Sequence, residues 1–243
     1  FTFGDAHFRG SAAGKLPLDR RVMQIAGLGN GNGYRLLALP VPLDTPVVNP
    51  GDSGPAVAQL QSRLYGLGYW IDALDGHYGL TTSQAVTAFQ KLHDLPRTGV
   101  FDVRTKSVLS LASRPVPHST GGYVIEVDKA HQVVLVTRNG RTEWVINTST
   151  GGDYAYSYGG QSFVATTPVG RFTILRQING LDVGRLGSLW RPKYITNDGI
   201  AFHGYPHVPA YPASHGCIRM TNQAIDWVWT NNVMPLGTAV WVY

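Results

Sequence analysis

Cys217 is the only cysteine in the 243-residue chain, and it lies in Ser214-His215-Gly216-Cys217-Ile218-Arg219. His215 stands two positions before it and His203 fourteen before it. A thiol becomes a strong nucleophile when an imidazole takes its proton or holds the thiolate as an ion pair. Both histidines are candidates for that task. In an extended segment residues i and i+2 point the same way, which suits His215. The loop between carries Pro206, Pro209 and Pro212 and can fold His203 back. Gly216 lets the backbone approach a substrate closely and present N–H groups, which a tetrahedral oxyanion needs. Two other readings use the same residues. One is an ordinary buried cysteine. The other is a zinc site made by His203, His207, His215 and Cys217. Pro206 rules out a helical His203–His207 pair, and no carboxylate stands at metal-motif spacing, so no metal is expected.

Composition sets the frame for that chemistry. Hydrophobic residues make up 43% and charged residues 14%, which fits a globular chain able to bury a core. The 29 glycines and 15 prolines point to many turns and to β structure. Twenty Lys and Arg against 15 Asp and Glu give a net charge of +5, spread without a long basic run, so nucleic acid is not an expected partner. A mild basic excess suits an acidic polymer. One cysteine means no internal disulfide, which fits a reducing compartment or an exported protein that keeps its thiol for chemistry. No apolar run is long enough to span a bilayer. The chain starts at Phe1, as a processed protein would.

Residues 1–46 carry no functional signal. The run Gly27-Leu28-Gly29-Asn30-Gly31-Asn32-Gly33 lacks the strand and helix a phosphate-binding loop requires. Leu36 to Pro40 reads as a short strand or part of a helix. After a linker at Pro46–Pro50, Pro55 opens a helix whose Val57, Leu60, Leu64 and Leu67 share one face. Gly76 to Val86 then echoes Gly99 to Leu109 at an offset of 23, each copy a turn followed by a helix start. This predicts a three-helix module over 47–113, with Val86, Phe89 and Leu92 facing its core. Arg114-Pro115-Val116-Pro117 and Gly121-Gly122 read as a second linker. From residue 120 to 243 the pattern becomes mainly β. Strands are expected at 123–127, 132–137 and 142–149, the last two joined by the hairpin turn Asn139-Gly140. A turn and strand follow at 167–174, a helix at 223–230 and a last strand at 239–243.

Two resemblances are specific. Gly51-x-x-Gly54-x-x-Val57-x-x-Leu60-Gln61-x-x-Leu64, Asp75-Gly76-x-Tyr78-Gly79-x-x-Thr82 and Ala88-Phe89-Gln90 resemble the type 1 peptidoglycan-binding domain. That resemblance implies a three-helix fold that docks on the cell wall; the alternative is a spacer that no longer binds. Thr167-Pro168-x-Gly170-x-Phe172, Phe202-His203-Gly204 and Ser214-His215-Gly216-Cys217-Ile218-Arg219-Met220 resemble the YkuD-type L,D-transpeptidases over about 122–243. This implies an α+β chain overall, with a β-sandwich-like catalytic domain that forms 3→3 cross-links in peptidoglycan without a cofactor. It implies Cys217 as nucleophile and His203 as base, with the Gly204 backbone orienting the imidazole. His215 and Gly216 would line the oxyanion site, and Ser214 and Arg219 would lie near the substrate. Arg219 suits a stem-peptide carboxylate. The implied partners are peptidoglycan stem peptides and glycan, with carbapenem-type β-lactams as covalent inhibitors. The implied setting is the exported face of a bacterial cell, and the chain is expected to act as a monomer. The competing functions are an L,D-carboxypeptidase, a non-catalytic wall-binding protein and a zinc wall hydrolase.

Overall fold

The structure, a computed structural model, describes residues 45–243 apart from Arg185. The readings made for the N-terminal segment, including the glycine run and Leu36 to Pro40, lie outside the described residues, save Thr45 and Pro46. Three helices come first: α1 (Pro55–Gly66), α2 (Leu80–Leu92) and α3 (Val103–Leu111). Proline in the first turn starts α1, and the Asp102 carboxylate caps α3 by accepting the Thr105 N–H at 2.7 Å. Val57, Leu60, Leu64 and Leu67 are all buried, as their spacing predicts. Val86 and Phe89 are fully buried, and Leu92 is half-buried at the edge of the same core.

The internal echo has a physical basis. Gln61 Oε1 accepts the Gly76 N–H at 2.8 Å, while its Nε2 donates to the His77 carbonyl and Thr82 Oγ1, both at 3.0 Å. Gln90 repeats this with the Gly99 N–H at 2.8 Å, the Val100 carbonyl at 2.9 Å and Thr105 Oγ1 at 3.1 Å. Each buried amide staples a glycine turn to the helix that follows it. Gln90→Leu keeps the size but leaves buried backbone groups without partners, each costing about 1–3 kcal/mol. We expect it to lower stability to urea by roughly 3 kcal/mol at an unchanged m value.

The β domain holds two five-stranded sheets and a separate hairpin. The first sheet has the order β3-β2-β1-β12-β6. Its members are β1 (Tyr123–Asp128), β2 (Val133–Arg138), β3 (Arg141–Asn147), β6 (Gly170–Thr173) and β12 (Ala239–Val242). Asn139 and Gly140, at φ 50° and 74°, make the β2–β3 turn, as an Asn-Gly pair should. Two short exposed strands, β4 (Ala155–Tyr158) and β5 (Gln161–Val164), pair only with each other. The second sheet contains β7 (Arg176–Gln177), β8 (Leu181–Gly184), β9 (Gly187–Tyr194), β10 (Ala201–Tyr205) and β11 (Ile218–Thr221). Helix α4 (Asn222–Thr230) follows β11 directly, capped by Thr221, whose Oγ1 accepts the Ala224 N–H. Its Ile225 and Val228 are buried and Trp229 is half-buried. Phe202, Ile218, Met220, Ala224 and Ile225 share one hydrophobic core with Val134, Val136 and Val240.

The two modules are not joined by free linkers alone. Val133, Leu135 and Val145 belong to the hydrophobic cluster of the helical module, whereas Val134, Val136 and Ile146 belong to that of the β domain. Strands β2 and β3 are therefore covered on both faces, which is why β2 reads as an uninterrupted Val-Val-Leu-Val run instead of alternating. Arg114, in the expected linker, donates to the carbonyls of Gly66, Thr142 and Glu143 and ties helix α1 to β3. Lys91 of α2 is fully buried at this junction. Its Nζ donates to the Gln132 and Thr148 carbonyls, both at 2.9 Å, and burial lowers its pKa to about 7.

Candidate active site

The site is set by a parallel pairing. β10 and β11 run side by side, with Phe202 opposite Ile218 and His203 opposite Arg219. Phe202 and Ile218 turn into the core. Paired residues share a face, so His203 and Arg219 lie together on the opposite face. Cys217 directly precedes β11, two residues before Arg219. Tyr205 lies between the side chains of His203 and Arg219, its ring edge-on to that of His203 with centroids 6.2 Å apart and 4.2 Å from the Arg219 guanidinium carbon.

His203 is buried, at 3% exposure, and its Nδ1 lies 2.9 Å from the Gly204 carbonyl. A carbonyl can only accept, so Nδ1 carries the proton and Nε2 is left with its lone pair. Burial pushes the His203 pKa down to about 4. It also pushes the Cys217 thiol above its ordinary value, partly offset by the Ala201 N–H. The thiol is half-buried and is 3.6 Å from the Gly199 carbonyl. Burial thus disfavours both the thiolate and the imidazolium, the two halves of a preformed ion pair.

The loop before Cys217 is not extended. Gly216 has φ 137°, a region that L side chains rarely adopt, and a Cβ there would meet the Thr166 carbonyl at 2.8 Å. This turn removes the i, i+2 relation that favoured His215. His215 is exposed and packs edge-on to Tyr154 and Tyr156, with ring centroids 5.6 and 4.7 Å away. Ser214 is buried, not presented to solvent. Its Oγ accepts the Gly216 N–H at 3.0 Å and donates to the Cys217 carbonyl at 2.5 Å. The Gly216 N–H expected to face an oxyanion is thus engaged within the turn. Among the described residues the N–H groups of His215 and Cys217 have no protein acceptor. Arg219 stacks over Tyr205 at 4.2 Å and donates to the Ala213 carbonyl, and its buried Nε has no partner. No carboxylate among the described residues pairs with it.

The sequence profile of the L,D-transpeptidase catalytic domain (YkuD) matches residues 122–242, and that of a peptidoglycan binding domain matches 53–109. A crystal structure of an L,D-transpeptidase from Xylanimonas cellulosilytica is 43% identical, covering 81% of this chain and 97% of that one, with a TM-score of 0.77. The chain belongs to the L,D-transpeptidase family. Other relatives match more narrowly. The N-acetylmuramoyl-L-alanine amidase CwlM of Mycobacterium tuberculosis is 39% identical over 62 residues, 25% of this chain and 15% of that protein. A spore cortex-lytic enzyme of Bacillus cereus is 37% identical over 68 residues, 28% of this chain and 26% of that protein. The chain thus spans only 15% and 26% of the length of these curated relatives.

Within this L,D-transpeptidase fold, Thr167 holds the turn before Cys217 through contacts that the sequence does not announce. Thr167 is fully buried, and its Oγ1 donates to the Gly216 carbonyl at 2.6 Å and accepts the Gly151 N–H at 2.8 Å. It fixes the turn from outside as Ser214 does from inside. The Thr167-Pro168-x-Gly170-x-Phe172 motif was the available signal, but it reads only as a strand. Gly204 has a second task besides its carbonyl. A Cβ there would lie 2.6 Å from Asn222 Oδ1 and 2.7 Å from both Ile225 and Trp190. Gly204→Ala should cost about 1–3 kcal/mol by overpacking. Because strand β10 must shift to fit the methyl group, the melting temperature should fall; thermal denaturation of both proteins checks this. Among the described residues no three His, Cys, Asp or Glu side chains converge as metal ligands. No helix there is long and apolar enough to cross a membrane.

Proposed function

We propose that the protein forms 3→3 cross-links in bacterial peptidoglycan through an acyl-enzyme on Cys217. The pairing of His203 with Arg219 beside Cys217, with Nδ1 held by Gly204, carries this reading. His203 Nε2 takes the thiol proton as Sγ attacks the carbonyl of the third residue of a tetrapeptide stem. The N–H groups of His215 and Cys217 receive the oxyanion. The peptide bond to the terminal D-Ala breaks, His203 returns the proton to the leaving amine, and a thioester remains on Cys217. The side-chain amine of a second stem then attacks the thioester. Its proton passes to His203 and on to the departing thiolate, which restores the enzyme.

Arg219, a cation without an acidic partner among the described residues, holds a stem carboxylate. Ser214, Gly216 and Thr167 keep the turn in shape. We assign residues 47–113 to wall binding and 120–243 to catalysis, with the protein acting as an exported monomer at the cell wall. Carbapenem-type β-lactams acylate the same thiol, because they too are acyl donors. Incubation with a purified disaccharide-tetrapeptide, followed by product mass analysis, tests the proposal. A cross-linked dimer short of one D-Ala is the expected product. A tripeptide alone would mean that water is the acceptor and the protein a carboxypeptidase, and intact substrate would overturn the reading.

A further inference from the structure

We propose that the helical module is a working part of the catalytic centre, with Lys91 and Gln84 as positioning residues for the Cys217 loop. The proposal rests on the acyl-transfer reading above, since it concerns the same thiol. Two chains of hydrogen bonds lead from helix α2 to that loop.

The first chain starts at Lys91, whose Nζ fixes the Gln132 and Thr148 carbonyls at 2.9 Å each. Thr148 opens the segment 148–151, which follows β3, and the Gln132 carbonyl beside it also accepts the Thr148 N–H at 3.2 Å. Gln132 grips the segment again, accepting the Thr150 N–H at 2.8 Å and donating to Thr150 Oγ1 at 2.7 Å. The segment in turn holds the catalytic loop at both ends. The Thr150 carbonyl accepts the N–H groups of Ala213 and Ser214 at 3.0 and 2.9 Å. Ser149 exchanges both backbone bonds with Arg219, at 3.2 and 3.0 Å, and Thr148 Oγ1 donates to the Arg219 carbonyl at 2.6 Å. Cys217 lies between these two clamps.

The second chain reaches the loop that joins His203 to Ser214. Gln84 Nε2 donates to the Val208 carbonyl at 3.3 Å, while its Oε1 accepts from Asn147 Nδ2 at 2.5 Å. Arg97 donates to the Ala210 carbonyl at 3.3 Å. The Tyr211 carbonyl is held from the catalytic side by Ser149. The loop between base and nucleophile is therefore braced jointly by both modules. A tether would need none of these bonds. A lysine placed without exposure against two carbonyls of the neighbouring module is costly unless its position matters.

A soluble stem peptide and a small thiol reagent separate positioning from wall binding. Lys91→Met and Gln84→Leu keep apolar volume and remove the bonds. Each should lower kcat on a soluble disaccharide-tetrapeptide about tenfold or more with KM little changed, since a small misplacement of reacting groups is enough. Each should also alter the rate at which iodoacetamide alkylates Cys217 in the folded protein. Gln61→Leu, at a staple whose bonds all stay within the helical module, serves as the control: it should lower the melting temperature and leave alkylation unchanged. If Gln61→Leu slowed alkylation as much as the other two, loss of stability would explain the effect and the proposal would be wrong. Unchanged kcat and alkylation in Lys91→Met and Gln84→Leu would also overturn it. Alkylation needs no stem peptide, so it reports on positioning even if the wild-type protein released no D-Ala and the acyl-transfer reading failed.

Discussion

Cys217→Ser is expected to lower the rate of D-Ala release from a tetrapeptide stem by about 10^4-fold or more, with little change in the melting temperature. The exchange swaps one atom in a half-buried position whose neighbours, the Gly199 carbonyl and the Ala201 N–H, suit a hydroxyl as well as a thiol. Chemistry, not packing, makes the difference. His203 is a weak base, because burial holds its pKa near 4. Such a base can assist a thiol, whose proton is comparatively acidic and whose sulfur is intrinsically nucleophilic. It cannot activate an alcohol, which is far less acidic. Steady-state release of D-Ala, measured with thermal denaturation of the same sample, checks both halves of the expectation.

His203→Gln is the second large effect, a loss of about 10^2–10^4-fold. Glutamine fills similar space and can still donate to the Gly204 carbonyl, but it has no basic nitrogen. His215→Ala should cost less than about tenfold, since it removes an exposed ring packed against Tyr154 and Tyr156 and leaves the backbone N–H in place. The comparison decides between two histidines that sequence spacing leaves equal. The pH profile adds to it. A base whose pKa is lowered to about 4 stays neutral at any higher pH, so kcat/KM should hold as pH falls toward 4 and drop about tenfold per unit below it. Stability moves the same way over a different window. The unfolded chain binds a proton at His203 near pH 6.5 and the folded chain only near 4, so acidification across that interval favours unfolding.

The helices were legible because three- and four-residue spacing survives any context: Val57, Leu60, Leu64 and Leu67 lie where their period puts them. The strands of the first sheet were legible from the Asn139-Gly140 turn and from β-branched runs. Strands β4, β5 and β7 to β11 went unread, because several are short and largely exposed and so lack an apolar face to show a period of two. The packing of the modules left one trace in the sequence, the unbroken Val133–Val136 run, which goes with cover on both faces but does not say what the covering partner is.

At the site, residue types offered one thiol and two candidate bases, and the structure brings His203, opposite Arg219, to the strand beside the Cys217 loop. The roles of Ser214 and Gly216 depend on a single positive φ. No spacing rule encodes that angle, with which the Gly216 N–H reaches Ser214 Oγ inside the loop.

The most direct measurement is the mass of the intact protein, quenched within its first turnover on a purified tetrapeptide stem without an acceptor. The account predicts a gain equal to the stem minus its terminal D-Ala, mapped to the peptide that contains Cys217 and absent from Cys217→Ala. Release of D-Ala by Cys217→Ala, or an adduct on any other residue, would contradict it.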